Sequence, residues 1–499
     1  MKIKNVIELL SDNILKSNVT NENLDLKNVK DNASVVEKND IFIALKGEAF
    51  DGHNFILEAT KNNAGLIIVE NTSKLINLKD SINFLQVKNT KKALAVLLHK
   101  FLEVSSNDFK LFGVTGTNGK STIATLLHHI LRENKKKSSL ISTVEVKIND
   151  EFIEESYNTT LSIPKNANLL KLSKERNVEF INMEVSSHAL TQKRIENLSY
   201  DLLAFSNITR DHLDYHKDFE DYKNTKLSLL KFLKSKGKVI VNLDNFDIND
   251  FDIPKNQIIT YGFDENSDYI VKDVVKSVFQ MNFKLITPEK EEITLYSSIT
   301  GDFNALNITA AVAAARFYGI DYEEIKKAII SFNGVPGRFE LVNNSKALGF
   351  FVVVDFAHTP DALEKVLKNA REMVKGRVII VFGAGGNADI GKRKIMGEIA
   401  SNYANIIVLT NDDPKDDDED KIIENIKEGV DKEDNFIIIK DRENAINAAI
   451  NFASREDIVI ISGRGHEKFQ LFANGKKVKF NDYEVAEKII DNLRKNLKK

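Results

Sequence analysis

The sequence predicts an α/β protein of three domains: a small N-terminal α/β domain, a central domain with a phosphate-loop motif and a mostly parallel sheet, and a C-terminal α/β domain. Three observations predict it. A chain of 499 residues is too long for one core. Short β-type apolar runs alternate with helical patterns along most of its length. Two turn-rich segments, Ser105-Ser106-Asn107-Asp108 and Asn333-Gly334-Val335-Pro336-Gly337, interrupt that alternation. The expected domains are therefore 1–107, 108–335 and 336–499.

In the first domain, Ile41 to Leu45, Leu66 to Val69 and Phe84 to Val87 read as strands. Lys91 to Glu103 reads as a helix, with Leu94, Leu97, Leu98 and Phe101 on one face. In the second domain the apolar runs are Phe109 to Val114, Ser139 to Thr143, Phe180 to Val185, Leu202 to Ile208 and Val239 to Leu243. Thr122 to Leu131 and the alanine-rich Asn304 to Phe317 read as helices. In the third domain the runs are Phe351 to Phe356, Val378 to Phe382, Ile406 to Thr410, Phe436 to Ile439 and Ile458 to Ser462, with a helix over Asp361 to Val374. Ligands of such sheets bind beyond the carboxyl ends of the strands. Asp355, the turn at Gly383 to Gly386, Asn411 to Pro414 and Gly463 to Gly465 fall at such ends.

Composition narrows the function classes. The chain is 42% hydrophobic and 29% charged, with a net charge of −3. That balance gives no electrostatic case for nucleic acid or an anionic membrane surface. No apolar run is long enough to span a bilayer, and the N-terminus lacks a signal-peptide core, so a cytoplasmic protein is expected. The absence of cysteine excludes disulfides, thiolate zinc sites and a cysteine nucleophile.

The stretch Gly113-Val114-Thr115-Gly116-Thr117-Asn118-Gly119-Lys120-Ser121 lies between an apolar run and a helical pattern. Strand, glycine-rich turn and helix together present backbone N–H groups and a positive helix end to a phosphate. Lys120 would reach the outer phosphates, and the Ser121 hydroxyl would ligate Mg²⁺. Both are expected at an exposed junction. Val114 breaks the general G-x-x-x-x-G-K-[ST] pattern and points to a narrower ATP-using class. Glu184 ends the run Ile181 to Val185 and suits a second Mg²⁺ ligand, or equally a structural polar group. His212 and His216, four apart, would share a helix face and invite a zinc reading, but no third ligand stands at a recognisable spacing. Asp355 to Pro360 joins a strand-end acid, His358 and a helix-starting proline; it suits ribose or phosphate contacts, or plain helix capping.

Taken together and in order, these blocks resemble the Mur ligases, ATP-dependent amide-forming enzymes of bacterial cell-wall synthesis. The matching blocks are Gly113 to Ser121, Asn158-Thr159-Thr160, Glu184 to His188, Asn207 to His216, Lys226, Gly301 to Asn304, Gly337 to Glu340 and Asp355 to Pro360. Met183 to His188, Arg210 to His216 and Gly463 to Glu467 look most like the branch that adds the third residue of the peptidoglycan stem peptide.

The resemblance implies an N-terminal UDP-sugar domain, a central ATPase domain and a Rossmann-like C-terminal amino-acid domain. It implies a monomer that uses ATP, two Mg²⁺ ions and CO₂ held as a carbamate on Lys226 (N6-carboxylysine). Catalysis would fall to Lys120, Glu184, His212 and Lys226; Ser121, Glu184, His212 and Lys226 would ligate metal. ATP would contact Gly116, Thr117, Asn118, Gly119, Lys120, Ser121, Thr122, Asn304, Arg338, Asp355 and His358. UDP-N-acetylmuramoyl-L-Ala-D-Glu would be held by Asn158, Thr159, Thr160, Ser186, Gln192 and Arg194. The incoming diamino acid would meet Asp412, Asp413, Pro414, Lys415, Gly463 and Glu467.

The chain departs from the family pattern at three places. An Asp-Ser-Arg triplet reads Asn32-Ala33-Ser34, Gly-Gly-Asp-Arg-Asp reads Gly385-Gly386-Asn387-Ala388-Asp389, and Asp-Asn-Pro-Arg reads Asp412-Asp413-Pro414-Lys415. Lys415 would still attract a distal carboxylate, as a point charge rather than a fork. At about 4 Å and an effective dielectric near 20, roughly 4 kcal/mol is available before desolvation and screening. The expected third residue is therefore meso-2,6-diaminopimelate or its thioether analogue meso-lanthionine, ahead of lysine or ornithine. The competing readings are a folylpolyglutamate synthase-like ligase and a P-loop ATPase that does no ligation.

Overall fold

The computed structural model describes every residue of the chain except 48–49, 76–77, 79–81, 156–157, 432–434 and 498–499. Among the described residues there are three sheets and one separate hairpin. In the first sheet the order is Ile14–Asn18, Phe84–Val87, Leu66–Val69, Ile41–Ile43 and Val29–Lys30. Only the Ile14–Asn18 pairing is antiparallel. The helix Thr90–Phe101 is capped by Asn89, whose side chain accepts from the N–H groups of Lys91 and Lys92, and it turns Ala93, Leu94 and Leu97 into the core. Residues 106–108 form a 3₁₀ turn closed by a reciprocal Ser105–Asp108 capping box, so the segment read as a linker is ordered.

The second sheet carries the site. Its parallel centre runs Ile258–Gly262, Leu233–Asn242, Tyr200–Phe205, Lys110–Thr115, Phe180–Glu184 and Ser138–Ile141. These strands are buried on both faces over most of their length, which is why most read as continuous apolar runs. The glycine-rich loop leaves the middle of this sheet and enters the helix Lys120–Glu133. That helix packs against Asp302–Phe317, where the run Ala310 to Ala315 is fully buried and lets the backbones approach. Antiparallel strands extend the sheet at both ends: Val146–Ile148 and Glu151–Glu154 at one, and a meander of Met281–Ile286 and Glu292–Ser297 beyond Tyr269–Lys276 at the other. The sequence reading had not placed these strands.

The third sheet runs Glu340–Leu341, Phe351–Asp355, Ile458–Ser462, Val378–Phe382, Ile406–Leu409 and Phe436–Ile438, all parallel except the first. Helices cover both faces, giving one core around Leu363, Leu367 and Met396 and another around Ile446, Ile450 and Ile490. Arg442 and Asp482, both fully buried, form a bidentate pair at 2.7 and 2.8 Å that ties two of these helices together. The tip of the central meander is built into this domain. Val278 joins its core, and Phe279 meets Phe351 edge-on at 5.1 Å. No helix among the described residues is long and apolar enough to cross a membrane.

Candidate active site

The glycine-rich loop is held from below by the strand end next to it. Asn207 grips Asn118 twice, accepting from its N–H at 2.8 Å and donating to its carbonyl at 3.0 Å. Ser206 donates to the same carbonyl at 2.6 Å. A Cβ on Gly116 would lie 1.9 Å from the Ser206 oxygen, so this close approach admits only glycine. Gly119 takes φ +86° and aims the loop N–H groups toward the helix entrance. The Lys120 ammonium folds over the loop and donates to the carbonyls of Gly116 and Thr117 at 2.9 and 2.8 Å. Ser121 is buried and Lys120 is half-buried, so the junction is not the exposed one expected from sequence. The fold of Asp302–Phe317 against Lys120–Glu133 covers it.

A cavity of about 500 Å³ opens above the loop. Gly119, Lys120, Ser121, Thr122, Glu184 and His212 line it from the central domain, with Asn304 and Tyr261 at one side. Arg338, Asp355, Phe356 and His358 close it from the C-terminal domain. Asp355 accepts from the N–H groups of Phe339 and Ala357 at 2.6 and 2.7 Å; burial raises its pKa and Arg338 opposes that rise. The Arg338 guanidinium stacks 4.2 Å over the Phe356 ring. His358 donates from Nδ1 to the Phe356 carbonyl at 2.8 Å, which leaves Nε2 as the acceptor. Asn304 is committed to structure: its amide donates to Thr300 and accepts from Asn307. Asn118 spans the two domains by donating to Asp361 at 3.1 Å.

The Glu184 carboxylate is fully buried and accepts from Thr143 through both oxygens, at 2.9 and 3.0 Å. Among the described residues it has no ion-pair partner. A buried carboxylate facing a cavity beside a hydroxyl is the oxygen donor set that suits a hard divalent cation. His212 and His216 do not share a helix. Residues 206–218 are neither helix nor strand, with a turn at 213–215, and His212 sits at φ +54°, where the Asp211 carboxylate accepts its N–H at 2.9 Å. The ring of His212 meets His188 edge-on at 4.7 Å. No group of three or more His, Asp or Glu among the described residues is arranged for a metal.

Lys226 lies beneath the loop rather than in the cavity wall. It is almost fully buried, donates to the Gly116 carbonyl at 2.9 Å and stands 4.5 Å over the Tyr222 ring. Burial, with repulsion from Lys120, drives its pKa well below the usual lysine range.

A second cavity of about 490 Å³ adjoins the first, and Thr143, Thr159 and Phe356 line both. Asn158, Asp413 and Glu467 line it, with His466, Lys468 and Lys477. Burial pushes the Glu467 carboxyl up to about 8, against the attraction of Arg464. Arg464, fully buried, binds Asp413 and reaches Asp412 at 3.6 Å. Asp412, Pro414, Lys415 and Gly463 are not in this wall. Lys415 donates its backbone N–H to the Leu471 carbonyl. Thr160, Ser186, Gln192 and Arg194 form one network: Arg194 donates to the Thr160 carbonyl and the Gln192 amide oxygen, and the Thr160 hydroxyl links the Glu184 carbonyl to the Ser186 N–H. The sequence names Asn207 only as the start of a matching block, with no role, and does not single out Lys468 or Lys477. The signal for Asn207 was its place just after an apolar strand run; the two lysines gave none.

Residues 114–315 match the family description of a Mur ligase middle domain, and 337–465 that of a Mur ligase glutamate ligase domain. The UDP-N-acetylmuramoyl-L-alanyl-D-glutamate–2,6-diaminopimelate ligase of Clostridioides difficile (strain 630) is 36% identical over 99% of this chain and 100% of its own length. The ligase of the same name from Aquifex aeolicus (strain VF5) is 38% identical over 93% of this chain and 94% of its own. A solved structure of a ligase with that name superposes with a TM-score of 0.68 at 27% identity, covering 99% of both chains.

Proposed function

The chain belongs to the Mur ligase family, and from that premise we propose that it joins a diamino acid to the D-Glu of UDP-N-acetylmuramoyl-L-Ala-D-Glu, consuming ATP, as a cytoplasmic monomer of peptidoglycan synthesis. The observation that carries the reading is the meeting of the two cavities at Thr143, Thr159 and Phe356. It supports a nucleotide on one side, an amino acid on the other, and a carboxylate activated between them.

A carboxylate is a poor acyl donor at neutral pH. Transfer of the terminal phosphoryl group gives an acyl phosphate, and the incoming amine displaces phosphate to form the amide. Lys120 and the loop N–H groups hold the outer phosphates, and Arg338 brings a second cation from the opposite domain. Asp355 suits the ribose hydroxyls. Seating of the C-terminal domain over the loop, through contacts such as Asn118–Asp361, keeps water from the acyl phosphate. Ser121 and Glu184 would hold one Mg²⁺, and His212 with a carbamate on Lys226 a second; the ions supply charge neutralisation to the phosphoryl oxygens. The low pKa of Lys226 favours the neutral amine that reacts with CO₂.

The second cavity is lined by the acids Glu145, Glu155, Asp413 and Glu467 and by Lys468 and Lys477. That wall suits a zwitterion with a carboxylate and an ammonium at each end, such as meso-2,6-diaminopimelate or its thioether analogue. Lysine brings one carboxylate fewer to a wall that carries two lysines. The test is kcat/KM for diaminopimelate, meso-lanthionine, lysine and ornithine with ATP and UDP-N-acetylmuramoyl-L-Ala-D-Glu. A preference for lysine contradicts the reading. Lys415→Ala with unchanged preference would move recognition of the distal carboxylate to Lys468 and Lys477.

A further inference from the structure

His466 belongs to the block Gly463 to Glu467 and lines the second cavity, at the place where the two cavities meet. Its ring engages two of the three residues that both cavities share. It hydrogen-bonds to the Thr143 backbone carbonyl, across the boundary between the C-terminal and central domains. Its centroid lies 5.5 Å from that of Phe356, with the two rings tilted by 43°. Thr143 donates its N–H and its hydroxyl to the two oxygens of Glu184. One residue therefore links this imidazole to the carboxylate on the nucleotide side.

The backbone beneath the ring is fixed. Gly337 holds φ +68°, and a Cβ there would collide with the His466 nitrogen and with Gly465. The His466 segment is thus packed onto the turn that carries Arg338. Burial, helped by repulsion from Arg338 and opposed by the Thr143 carbonyl, lowers the His466 pKa to about 3. The imidazole is therefore neutral at pH 7 and carries one proton. With that proton directed at the Thr143 carbonyl, the other nitrogen presents a lone pair. Nδ1 is buried and has no hydrogen-bond partner among the described residues. A buried acceptor left unpaired is unfavourable, and an N–H from a bound molecule would satisfy it. The ring is part of the wall of the second cavity, so an amine seated there lies against it.

We propose that His466 is a further catalytic residue, whose unprotonated ring nitrogen accepts a hydrogen bond from the attacking amine and turns the amine's lone pair toward the acyl phosphate. This rests on the ligase reading above. In that step the lone pair of the free amine forms the C–N bond. The bond from the acyl carbon to the phosphoryl oxygen breaks, and its electron pair leaves on phosphate. The amine proton passes to the departing phosphate, which is released as HPO₄²⁻. The imidazole stays neutral throughout and acts by holding the nucleophile in line with the acyl carbon. Because the Thr143 carbonyl belongs to the central domain, the ring takes this orientation only when the C-terminal domain is seated.

The experiment uses the full chain and separates the two half-reactions. Acyl phosphate is formed from ATP and UDP-N-acetylmuramoyl-L-Ala-D-Glu without diamino acid, and is trapped by borohydride as the alcohol of the D-Glu side chain. Ligation is then measured with meso-2,6-diaminopimelate. His466→Phe keeps a ring but removes the acceptor. It should lower kcat for ligation by about 100-fold, the scale of a misplaced reacting group, while KM for diaminopimelate and the amount of trapped alcohol stay near the wild-type values. His466→Gln, which can still donate and accept, should recover part of kcat. Should His466→Phe not fold, His466→Ala carries the same expectations. A merely structural role would lower acyl phosphate formation together with ligation. Wild-type kcat in the variant without an acceptor, trapped alcohol that falls in step with ligation, or a loss confined to KM overturns the proposal and leaves the ligase reading standing. A wild-type chain that forms neither the trapped alcohol nor ADP would refute the ligase reading, and this inference with it.

Discussion

Gly119→Ala separates two physical costs that the loop places on one residue. Gly119 holds φ +86°, where an L-residue loses about 1–2 kcal/mol. Its new Cβ would also lie 2.3 Å from the Asn307 side-chain oxygen. Asn307 must then turn away and give up its 3.1 Å bond to Asn304, a further ~1–2 kcal/mol in a buried setting. Gly319 supplies the control. It holds φ +82° at the end of the neighbouring helix, with nothing within 4 Å of its Cβ position. Gly319→Ala should therefore cost only the backbone share, about 1–2 kcal/mol, and Gly119→Ala about 2–4 kcal/mol in total. The assays are denaturant unfolding of each variant and calorimetric titration with the β,γ-imido analogue of ATP. Gly119→Ala should also weaken the analogue at least tenfold, whereas Gly319→Ala should not. Adding Asn307→Ala should relieve part of the Gly119→Ala cost, because the clashing amide is gone. Equal destabilisation by the two glycine variants, or strict additivity with Asn307→Ala, would refute the steric reasoning.

Lys226→Ala should lose most ligation activity, and a short carboxylic acid should restore part of it by standing in for the carbamate; full activity without additive would show that Lys226 serves only to hold the loop. Asp482→Asn should destabilise the C-terminal domain by about 3–5 kcal/mol, since it strands the fully buried Arg442 charge, and Arg442→Met with Asp482→Leu should recover much of that in an unfolding titration. His128 is buried between Ser138 and the Asn149 carbonyl, and burial lowers its pKa to about 3. The folded pKa lies below the unfolded one, so its contribution is complete above pH ~6.5 and is lost as pH falls toward ~3. His128→Gln should accordingly flatten the fall of the thermal midpoint between pH 6.5 and 4; parallel curves for the two proteins would contradict the assignment.

Local sequence carried much of this molecule. The phosphate loop was legible because strand, glycines, lysine and helix are contiguous, and each glycine answers a backbone need seen at Gly116 and Gly119. Strands such as Phe180–Glu184 were legible because both faces are buried. Met281–Ile286 was missed although its burial alternates strictly, since a search for continuous apolar runs passes over a strand with one wetter face. The helical reading of His212 and His216 failed because spacing alone cannot distinguish a helix face from a turn; the Asp211 carboxylate settles the backbone locally. The amino-acid side was least legible. The second cavity is assembled from residues as far apart in sequence as Thr143 and Lys477, and the hairpin at Phe469–Lys479 brings in Lys477, which no short motif announces. Lys415, the cation chosen from its motif, stands outside that wall.

The central claim is that a substrate carboxylate is phosphorylated in the cleft between the central and C-terminal domains. UDP-N-acetylmuramoyl-L-Ala-D-Glu labelled with ¹⁸O in the D-Glu side-chain carboxylate tests it directly, with unlabelled ATP, water and diaminopimelate. The phosphate released is examined by mass spectrometry. An acyl phosphate route moves one ¹⁸O into each phosphate formed, in step with amide product. Phosphate free of ¹⁸O, formed while product accumulates, would contradict the account.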